Sequence, residues 1–410
     1  MKIVIATCGS RGDVQPILAL AISLREAGHE VLLAAPPDFA AWVESYDCRF
    51  QPLGSKVEPI LEQCPNAHTL RPAMLFLRFV RQELKLQFHE LPEIVGGADL
   101  VIGASLAFGV HTVAQHQRVP YIFVALTPQL FPSGHHPFLA LRNHHMPRWL
   151  NRVSWNFAKF LDNINVTAII NRQRRLLGLK PVPEAWGHIL GDHVIVATDR
   201  VLGPVPPDVD RKFTQTGYFH LGQKEGLDGA VETFLSSGPP PLYVGFGSMP
   251  SRDQEALTPL ILDAVRSVGH RVIVSCRGSN GGRAVSNRDC FFIHDSPHHV
   301  LFPRMAAVVH HGGAGTTATA ARAGVPQIIV PHILDQYYWA NRIHQTGLGP
   351  EPVWRSRLTR KRLAKAVEEC LSNTAMRHRA KEISEQIQDK DSLGTAVKAI
   401  ESTFVQGDIL

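Results

Sequence analysis

Two spacings of apolar residues alternate along the chain and divide it into strands and helices. Short continuous apolar runs, such as the one at 3–8, are typical of buried parallel strands. After that run comes a polar, glycine-containing turn, followed by apolar residues at helical spacing over 17–24. Pro16 suits the first turn of this helix and Gly28 suits its end. The next apolar run, at 31–35, completes a strand–helix–strand unit, which predicts a parallel sheet with helices on both faces.

The same pattern occurs in both halves of the chain and predicts two domains. Further strands are predicted at 100–102, 121–124, 194–196 and 216–218 in the first half and at 242–246, 271–275, 291–294, 307–309 and 327–330 in the second. A segment rich in proline and glycine separates the halves. We therefore expect an N-terminal domain at 1–217, a linker at 218–240 and a C-terminal domain at 241–410. The expected fold class is α/β, with two Rossmann-like, doubly wound domains facing each other across a cleft.

Composition narrows the classes of protein to consider. Of the 410 residues, 44% are hydrophobic and 19% are charged, as in ordinary globular proteins, and the formal net charge of +6 suits an anionic ligand. The chain has no zinc-ligand spacing and no aromatic RNA motif, so we expect no nucleic acid partner. Its six cysteines form no C-x-x-C pair, which favours reduced thiols. The apolar runs are too short for a signal segment or a membrane span, so we expect a soluble, cytoplasmic protein.

The most distinctive stretch is His-His-Gly-Gly-Ala-Gly-Thr-Thr at 310–317. It follows the apolar run at 305–309 and precedes a predicted helix at 318–323. Glycines at a strand-to-helix turn let the backbone approach a phosphate, and the helix N-terminus supplies free N–H groups and partial positive charge. The stretch therefore predicts a cradle for a diphosphate.

Two motifs carry a resemblance to a known family. The stretch at 310–317, continued by the segments at 324–326 and 331–336, resembles the donor-binding signature of GT-B nucleotide-sugar glycosyltransferases. The opening Gly-Ser-Arg-Gly-Asp-Val-Gln-Pro at 9–16 resembles the antibiotic-aglycone and sterol branches of that superfamily. Both motifs occur in the family's order, which is far more specific than one glycine loop.

The resemblance implies a fold and a reaction. It implies the GT-B fold, with the last helix packing back on the N-terminal domain. It also implies inverting transfer of a hexose from a nucleotide diphosphate sugar, with UDP as the expected nucleotide. The acceptor would be a hydroxyl of a lipophilic small molecule such as a sterol, polyketide or flavonoid, and no cofactor or metal would be required.

Asp13 is the expected general base. It occupies the position where plant-type members of the family carry a histidine, and no carboxylate occurs at 103–105, where those members carry an aspartate that orients the histidine. This departure is consistent with a carboxylate base that needs no partner. A solvated aspartate has a pKa near 3.9, so partial burial must raise the pKa of Asp13 for work at neutral pH. The alternative is that Asp13 only caps a helix. Arg11 and Gly12 are expected to support the base or a phosphate.

The resemblance also implies a set of donor contacts. They are Ser248, Arg277, His298, Val300, His310, Gly312, Gly313, Ala314, Gly315, Thr316, Asp335 and Gln336. His310 is expected to donate to a phosphate. Neighbouring residues on a strand point to opposite faces, so we do not expect His310 and His311 to share a metal ion. Asp335 and Gln336 are expected to bind sugar hydroxyls, with a helix cap as the alternative.

Aromatic residues of the first half are expected to wall an acceptor pocket. They are Phe76, Phe79, Phe131 and Trp155, together with His135. The alternative for these residues is ordinary core packing. The mixture of basic and aromatic residues at 148–175 is also compatible with weak peripheral contact with an anionic membrane.

Two alternative functions stay open at this stage. An epimerase or hydrolase on a similar scaffold would consume the nucleotide sugar without an acceptor. A non-catalytic nucleotide-sugar or lipid-binding protein would keep the cradle at 310–317 but would gain nothing from Asp13. A dinucleotide dehydrogenase is disfavoured because the opening turn lacks G-x-G-x-x-G. The sequence leaves the oligomeric state open.

Overall fold

Two parallel β-sheets organise the chain. The computed structural model describes residues 1–57, 70–222, 226–247, 251–275, 288–294 and 296–405. The strands are β1 (Lys2–Cys8), β2 (Glu30–Ala35), β3 (Arg49–Pro52), β4 (Leu100–Ser105), β5 (Tyr121–Ala125), β6 (His193–Val196), β7 (Lys212–Gln215), β8 (Leu242–Gly245), β9 (Val272–Ser275), β10 (Cys290–Ile293), β11 (Ala307–His310) and β12 (Gln327–Ile329). In the described residues one sheet has the order β3-β2-β1-β4-β5-β6-β7 and the other the order β10-β9-β8-β11-β12.

Helices cover both faces of each sheet. They are α1 (Arg11–Glu26), α2 (Ala40–Glu44), α3 (Leu70–Val95), α4 (Val110–Gln117), α5 (Arg148–Asp162), α6 (Ala168–Leu176), α7 (Ala185–Leu190), α8 (Gly229–Ser236), α9 (Ser251–Ser267), α10 (His298–Leu301), α11 (Ala314–Arg322), α12 (Gln336–Gln345), α13 (Arg360–Ser372), α14 (Thr374–Gln388) and α15 (Ser392–Val405). Separate apolar clusters fill the space on each side of each sheet. The expected fold class, two Rossmann-like doubly wound domains, is confirmed.

The strand order reverses once in each sheet. In the first sheet the chain runs outward from β1 to β3 and then returns to place β4 on the other side of β1, with Cys8 paired to Ser105. In the second it runs from β8 to β10 and returns with β11 beside β8, so that His310 pairs with Gly245. Such reversals open a crevice at the carboxyl ends of the two strands, where ligands bind in open α/β sheets.

The first helix begins earlier than its proline predicts. Ser10 is the N-cap of α1, and its backbone N–H donates to the Asp13 carboxylate at 2.7 Å. A serine N-cap with an acidic residue three positions later is a strong start signal, since both groups satisfy free ends of the helix. Pro16 therefore lies in the second turn of α1. The expectation that the helix starts near Pro16 is wrong, and Asp13 belongs to its first turn.

The chain crosses between the two sheets twice. The predicted strand at 216–218 is instead the segment that leaves β7 for the second sheet, where Gly217 has a φ of 103°. After α14 the chain returns, and α15 packs against α1. Ala396, Val397 and Ile400 of α15 belong to the apolar cluster of the first sheet. The last helix thus completes the N-terminal core.

The cysteines and the apolar character of the helices can be compared with the expectations from sequence. Cys8, Cys48, Cys290 and Cys370 are free thiols and are buried. In the described part of the chain, no helix combines the length and the apolar character that crossing a bilayer requires.

Ile400→Ala tests the docking of α15. Ile400 is fully buried in the first-sheet cluster, so its truncation is expected to lower the free energy of unfolding by about 2–5 kcal/mol. Lys398→Ala on the exposed side of the same helix is the control, with a change within about 0.5 kcal/mol. Denaturant unfolding followed by circular dichroism measures both. Equal effects of the two variants would contradict the docking.

Candidate functional site

The first crevice presents the carboxylate of Asp13. Its Oδ2 accepts hydrogen bonds from the Ser10 backbone N–H at 2.7 Å and from the Ser10 hydroxyl at 3.0 Å. A Cβ on Gly9 would lie 2.3 Å from the same oxygen, so the carboxylate can occupy this place only beside a glycine. Burial raises the pKa of Asp13, and the hydrogen bonds from Ser105 and Ser10 partly oppose that rise. Asp13 therefore satisfies the free backbone N–H of the helix N-cap, and its carboxyl has a raised pKa.

Ser105 is the second residue of this crevice, and it is not among the residues expected there from the sequence. It ends β4 directly beside Cys8 of β1, and its side chain hydrogen-bonds the Asp13 carboxylate. Its backbone φ is 52°, in the left-handed region that residues other than glycine rarely adopt. Strain of this kind persists where the surrounding structure imposes it, and it is concentrated at functional sites. The position where plant-type members carry an orienting aspartate thus holds a serine that hydrogen-bonds Asp13, and the expectation that Asp13 needs no carboxylate partner stays a prediction.

His310 lies at the second crevice but does not face it. The residue is fully buried, and both ring nitrogens have partners: the Gly312 N–H donates to Nδ1 at 3.1 Å, and Nε2 donates to the Gln327 amide oxygen at 2.9 Å. The pKa of His310 is lowered to about 3, mainly by burial and then by the neighbouring His311. The prediction that His310 donates to a phosphate is wrong, since no donor of its ring remains available.

His311 occupies the position expected of His310. A Cβ on Gly247 would lie 2.8 Å from the Cε1 atom of His311, and one on Gly313 would lie 2.5 Å from Nε2. Two glycines thus leave the space that this ring fills. Its Nδ1 has no hydrogen-bond partner among the described residues. His311 is therefore the histidine with bonding capacity left beside the cradle.

The cradle itself is the start of α11. Gly313 is the N-cap and has no side chain with which to satisfy the first N–H groups of the helix. Those groups belong to Ala314, Gly315 and Thr316. Gly312, with a φ of 88°, turns the chain from β11 into this helix. The geometry can accept an anion at the positive end of the helix.

Tyr218 joins the two crevices. It lies on the crossing segment, and its hydroxyl is 2.6 Å from where a Cβ on Gly315 would be. Burial, and next the charge of Asp13, raise the pKa of Tyr218. The start of α1 and the start of α11 therefore face each other around this ring, and the two helices are in contact.

Asp335 and Gln336 lie at the start of α12 in the C-terminal domain. Asp335 is the N-cap of α12 but makes no capping hydrogen bond with its side chain. Its pKa is raised to about 7, first by burial and then by the charge of Asp13. The amide oxygen of Gln336 accepts the N–H groups of His332 at 2.8 Å and Ile333 at 3.1 Å. The Asp335 carboxylate also interacts with the Trp339 side chain but keeps further acceptor capacity, and the Gln336 amide nitrogen can donate to a polyhydroxyl ligand.

The remaining residues that were expected to contact the donor either pack within the C-terminal domain or lie outside the described residues. His298 stacks on Phe302 with ring centroids 4.4 Å apart, and its Nε2 is 2.9 Å from the Tyr243 hydroxyl. Val300 is half-buried in the same short helix, α10. Two further expected contacts, Ser248 and Arg277, lie outside the described residues.

Near Asp13, Arg11 and Gly12 form the first turn of α1. The Arg11 guanidinium lies 4.9 Å from the centre of the Trp42 ring, and Gly12 is exposed. In the described residues, no group of three or more His, Cys, Asp and Glu residues has the arrangement of a metal site.

The aromatic residues expected to wall an acceptor pocket separate into two groups. Phe131 and Trp155 are almost fully buried, and the Trp155 indole donates to the His136 carbonyl at 3.2 Å. These two are core residues, so their assignment to an open pocket is corrected. Phe76 and Phe79 are half-buried on α3, and His135 is exposed. Core packing explains the first group because a fully enclosed ring has no surface left for a ligand.

Comparisons with known proteins place the two halves of the chain in known families. Residues 3–131 match the family described as glycosyltransferase family 28 N-terminal domain, and residues 259–401 match the erythromycin biosynthesis protein CIII-like C-terminal domain. The chain is 36% identical to a vancomycin aglycone glucosyltransferase of Amycolatopsis orientalis over 85% of each chain. It is 30% identical to a sterol 3-beta-glucosyltransferase of Arabidopsis thaliana, covering 97% of this chain and 67% of that protein.

A solved structure shows the same fold. Glycosyltransferase VinC in complex with dTDP superposes with a TM-score of 0.70 at 18% identity, covering 99% of this chain and 100% of that one.

His310→Ala tests the assignment of the two histidines. It would leave the buried Gly312 N–H and the Gln327 amide oxygen without partners, which is expected to cost about 2–5 kcal/mol of unfolding free energy. His311→Ala, which breaks no such pair of bonds, is the matched control with a clearly smaller loss. Denaturant unfolding measures both variants. A larger loss for His311→Ala would mean that His311, and not His310, is the histidine held by structural hydrogen bonds.

Proposed function

Because the chain belongs to the GT-B glycosyltransferases, we propose that it is an inverting hexosyltransferase that uses Asp13 as its general base. The sugar would come from a nucleotide diphosphate sugar and would be added to a hydroxyl of a lipophilic small molecule. The observation that carries this proposal is the pair of facing helix starts, one presenting the Asp13 carboxylate and the other the anion cradle. The relatives act on a vancomycin aglycone and on sterols, which supports the lipophilic acceptor.

Each part of the reaction has a group suited to it. The acceptor oxygen attacks C1 of the sugar while its proton passes to the Asp13 carboxylate. The bond from C1 to the phosphate oxygen breaks, and the diphosphate leaves with the bonding electrons. The first N–H groups of α11 and the His311 ring stabilise the charge that develops there. Attack from the side opposite the leaving group converts an α-linked donor into a β-linked product.

Asp335 and Gln336 hold the sugar in this scheme. The carboxylate of Asp335 accepts from sugar hydroxyls, and the amide nitrogen of Gln336 donates to one. The raised pKa of Asp13 strengthens it as a base near neutral pH. No step of this scheme requires a metal ion, because the first N–H groups of α11 supply positive potential; burial lowers the pKa of His311 to about 4, so its neutral ring contributes a hydrogen bond.

Donor identity is tested with both candidate nucleotides. The sequence resemblance favours UDP, whereas the VinC structure contains dTDP. UDP- and TDP-linked hexoses are therefore incubated with pooled sterols, flavonoids and polyketides, and products heavier by one sugar residue are detected by mass spectrometry. Consumption of donor without acceptor would favour an epimerase or hydrolase, and binding without turnover would favour a non-catalytic protein.

Asp13→Asn separates catalysis from donor binding. The amide cannot accept the acceptor proton, so turnover is expected to fall about 100-fold or more. Donor affinity by calorimetry is expected to stay unchanged, because the cradle is built from the second sheet. His311→Ala is the complementary variant, with weakened affinity for the nucleoside diphosphate. Normal turnover in Asp13→Asn would remove Asp13 from the mechanism.

Ser105→Gly tests whether Ser105 positions the base. Loss of the hydroxyl removes a hydrogen bond that lowers the pKa of Asp13, so that pKa rises and the acidic limb of kcat/KM moves to higher pH. Glycine also tolerates the φ of 52°, so stability is expected to hold or to rise by about 1 kcal/mol. A pH-rate profile and thermal unfolding measure the two effects.

Arg118→Gly provides the matched control for Ser105→Gly. Arg118 has a φ of 59° at the end of α4 and is exposed, so the substitution relieves similar strain. Its pH-rate profile is expected to match that of the unmodified protein. An unshifted acidic limb in Ser105→Gly would mean that Ser105 has only a structural role.

A further inference from the structure

The outer face of α5 exposes large apolar side chains. The exposed fractions are 65% for Trp149, 50% for Val153, 62% for Phe157, 59% for Phe160, 43% for Leu161 and 60% for Ile164, which lies just beyond the helix. At about 100° per residue these six positions fall within an arc of about 120°. We call this surface the apolar face of α5. Monomeric proteins rarely expose so many large apolar groups together, so the face is a candidate interaction surface.

The opposite side of α5 is anchored to the N-terminal domain. Trp155 is buried and its indole donates to the His136 carbonyl. The Asn151 amide donates to the Gly134 carbonyl at 2.9 Å, and Ala158 is also buried. These contacts fix the rotation of the helix about its axis. The apolar face of α5 therefore stays directed outward.

Basic residues lie along one border of the apolar face of α5 and follow it in the chain, where Arg174 of α6 is buried. Between 148 and 176 the chain has six basic residues and one acidic residue, Asp162. The basic residues are Arg148, Arg152, Lys159, Arg172, Arg174 and Arg175. By helical spacing, Arg152 and Lys159 lie along one border of the face. They form pairs of 3.6 Å with Asp208 and Glu184, and such partly exposed pairs are weak enough to exchange for other anions.

We propose that the apolar face of α5 docks on an anionic lipid surface. A bilayer accepts apolar side chains between its headgroups while neighbouring arginine and lysine side chains contact the lipid phosphates. A second copy of the chain is a poorer partner, because an antiparallel two-fold contact of two such faces would bring the basic borders together. The proposal is independent of the transfer reaction, although contact with lipid would bring the enzyme to lipophilic acceptors.

Vesicle sedimentation of the full chain tests this proposal. The probes are vesicles of phosphatidylcholine alone and of phosphatidylcholine mixed with phosphatidylglycerol. The protein is expected to sediment with the anionic vesicles and to be released as the salt concentration rises. Phe157→Glu combined with Phe160→Glu is expected to weaken binding by about tenfold or more, since both rings are replaced by charged, hydrated groups.

Asn156→Glu is the matched control. Asn156 is exposed on the same helix, so this variant adds negative charge there without removing an apolar side chain. Its binding is expected to stay within about fivefold of the unmodified protein, which corresponds to the loss of roughly one favourable charge interaction. Thermal unfolding of all variants checks that folding is unchanged. Trp149→Gln with Val153→Gln provides a second test of the same face should the double glutamate variant unfold.

Three results would overturn the proposal. The first is no sedimentation with anionic vesicles at low salt. The second is equal loss of binding in Asn156→Glu and in the double phenylalanine variant. That result would mean that charge alone attracts the protein to the vesicles and that the apolar side chains do not contribute. The third is a dimer in analytical ultracentrifugation that the double variant converts to a monomer, which would assign the apolar face of α5 to a second copy of the chain.

Discussion

The contact between the two sheets is the constraint on which the site depends. The loop after β6 carries Leu202 into the apolar cluster of the C-terminal domain, and the Leu202 carbonyl accepts from Arg342 at 2.7 Å. Gly203 brings the loop so close to Trp339 that a Cβ would lie 3.1 Å from the ring. On the return path, α15 packs on the first sheet. Two crossings and one buried loop therefore hold the carboxyl ends of both sheets face to face.

This placement sets the electrostatics of the cleft. Asp13 and Asp335 belong to different sheets, yet the charge of Asp13 contributes to raising the pKa of Asp335. Burial raises the pKa of both groups, since ionised carboxylates lose hydration there. At the same time, the uncapped N-terminus of α11 contributes positive potential beside them. A carboxylate with a raised pKa and a nearby anion cradle are the two elements that an inverting sugar transfer requires.

For the proposed general base Asp13, Ser105 takes the place of the acidic partner that a histidine base would need. A histidine base needs an acidic partner to orient its ring and to stabilise its positive form. A carboxylate base has no such need of charge, but it still needs donors that hold it in place. Ser10 and Ser105 supply these donors from the ends of two neighbouring strands, and Ser105 does so in a strained backbone conformation. A residue other than glycine in this conformation costs some stability, which the surrounding structure must offset.

Local patterns in the sequence determined the elements and their order. Apolar runs located most of the strands to within a few residues but missed β3 and β7. The motifs at 9–16 and 310–317 located both crevices, because ligands bind at the carboxyl ends of parallel strands. Only the tertiary structure decided which residues act there. It buried His310 against Gln327 and left His311 in the space beside Gly247, placed Ser105 beside Asp13, and enclosed Trp155 in the core. These outcomes depend on contacts between segments far apart in the chain, and the spacing of residues along one segment contains no information about them.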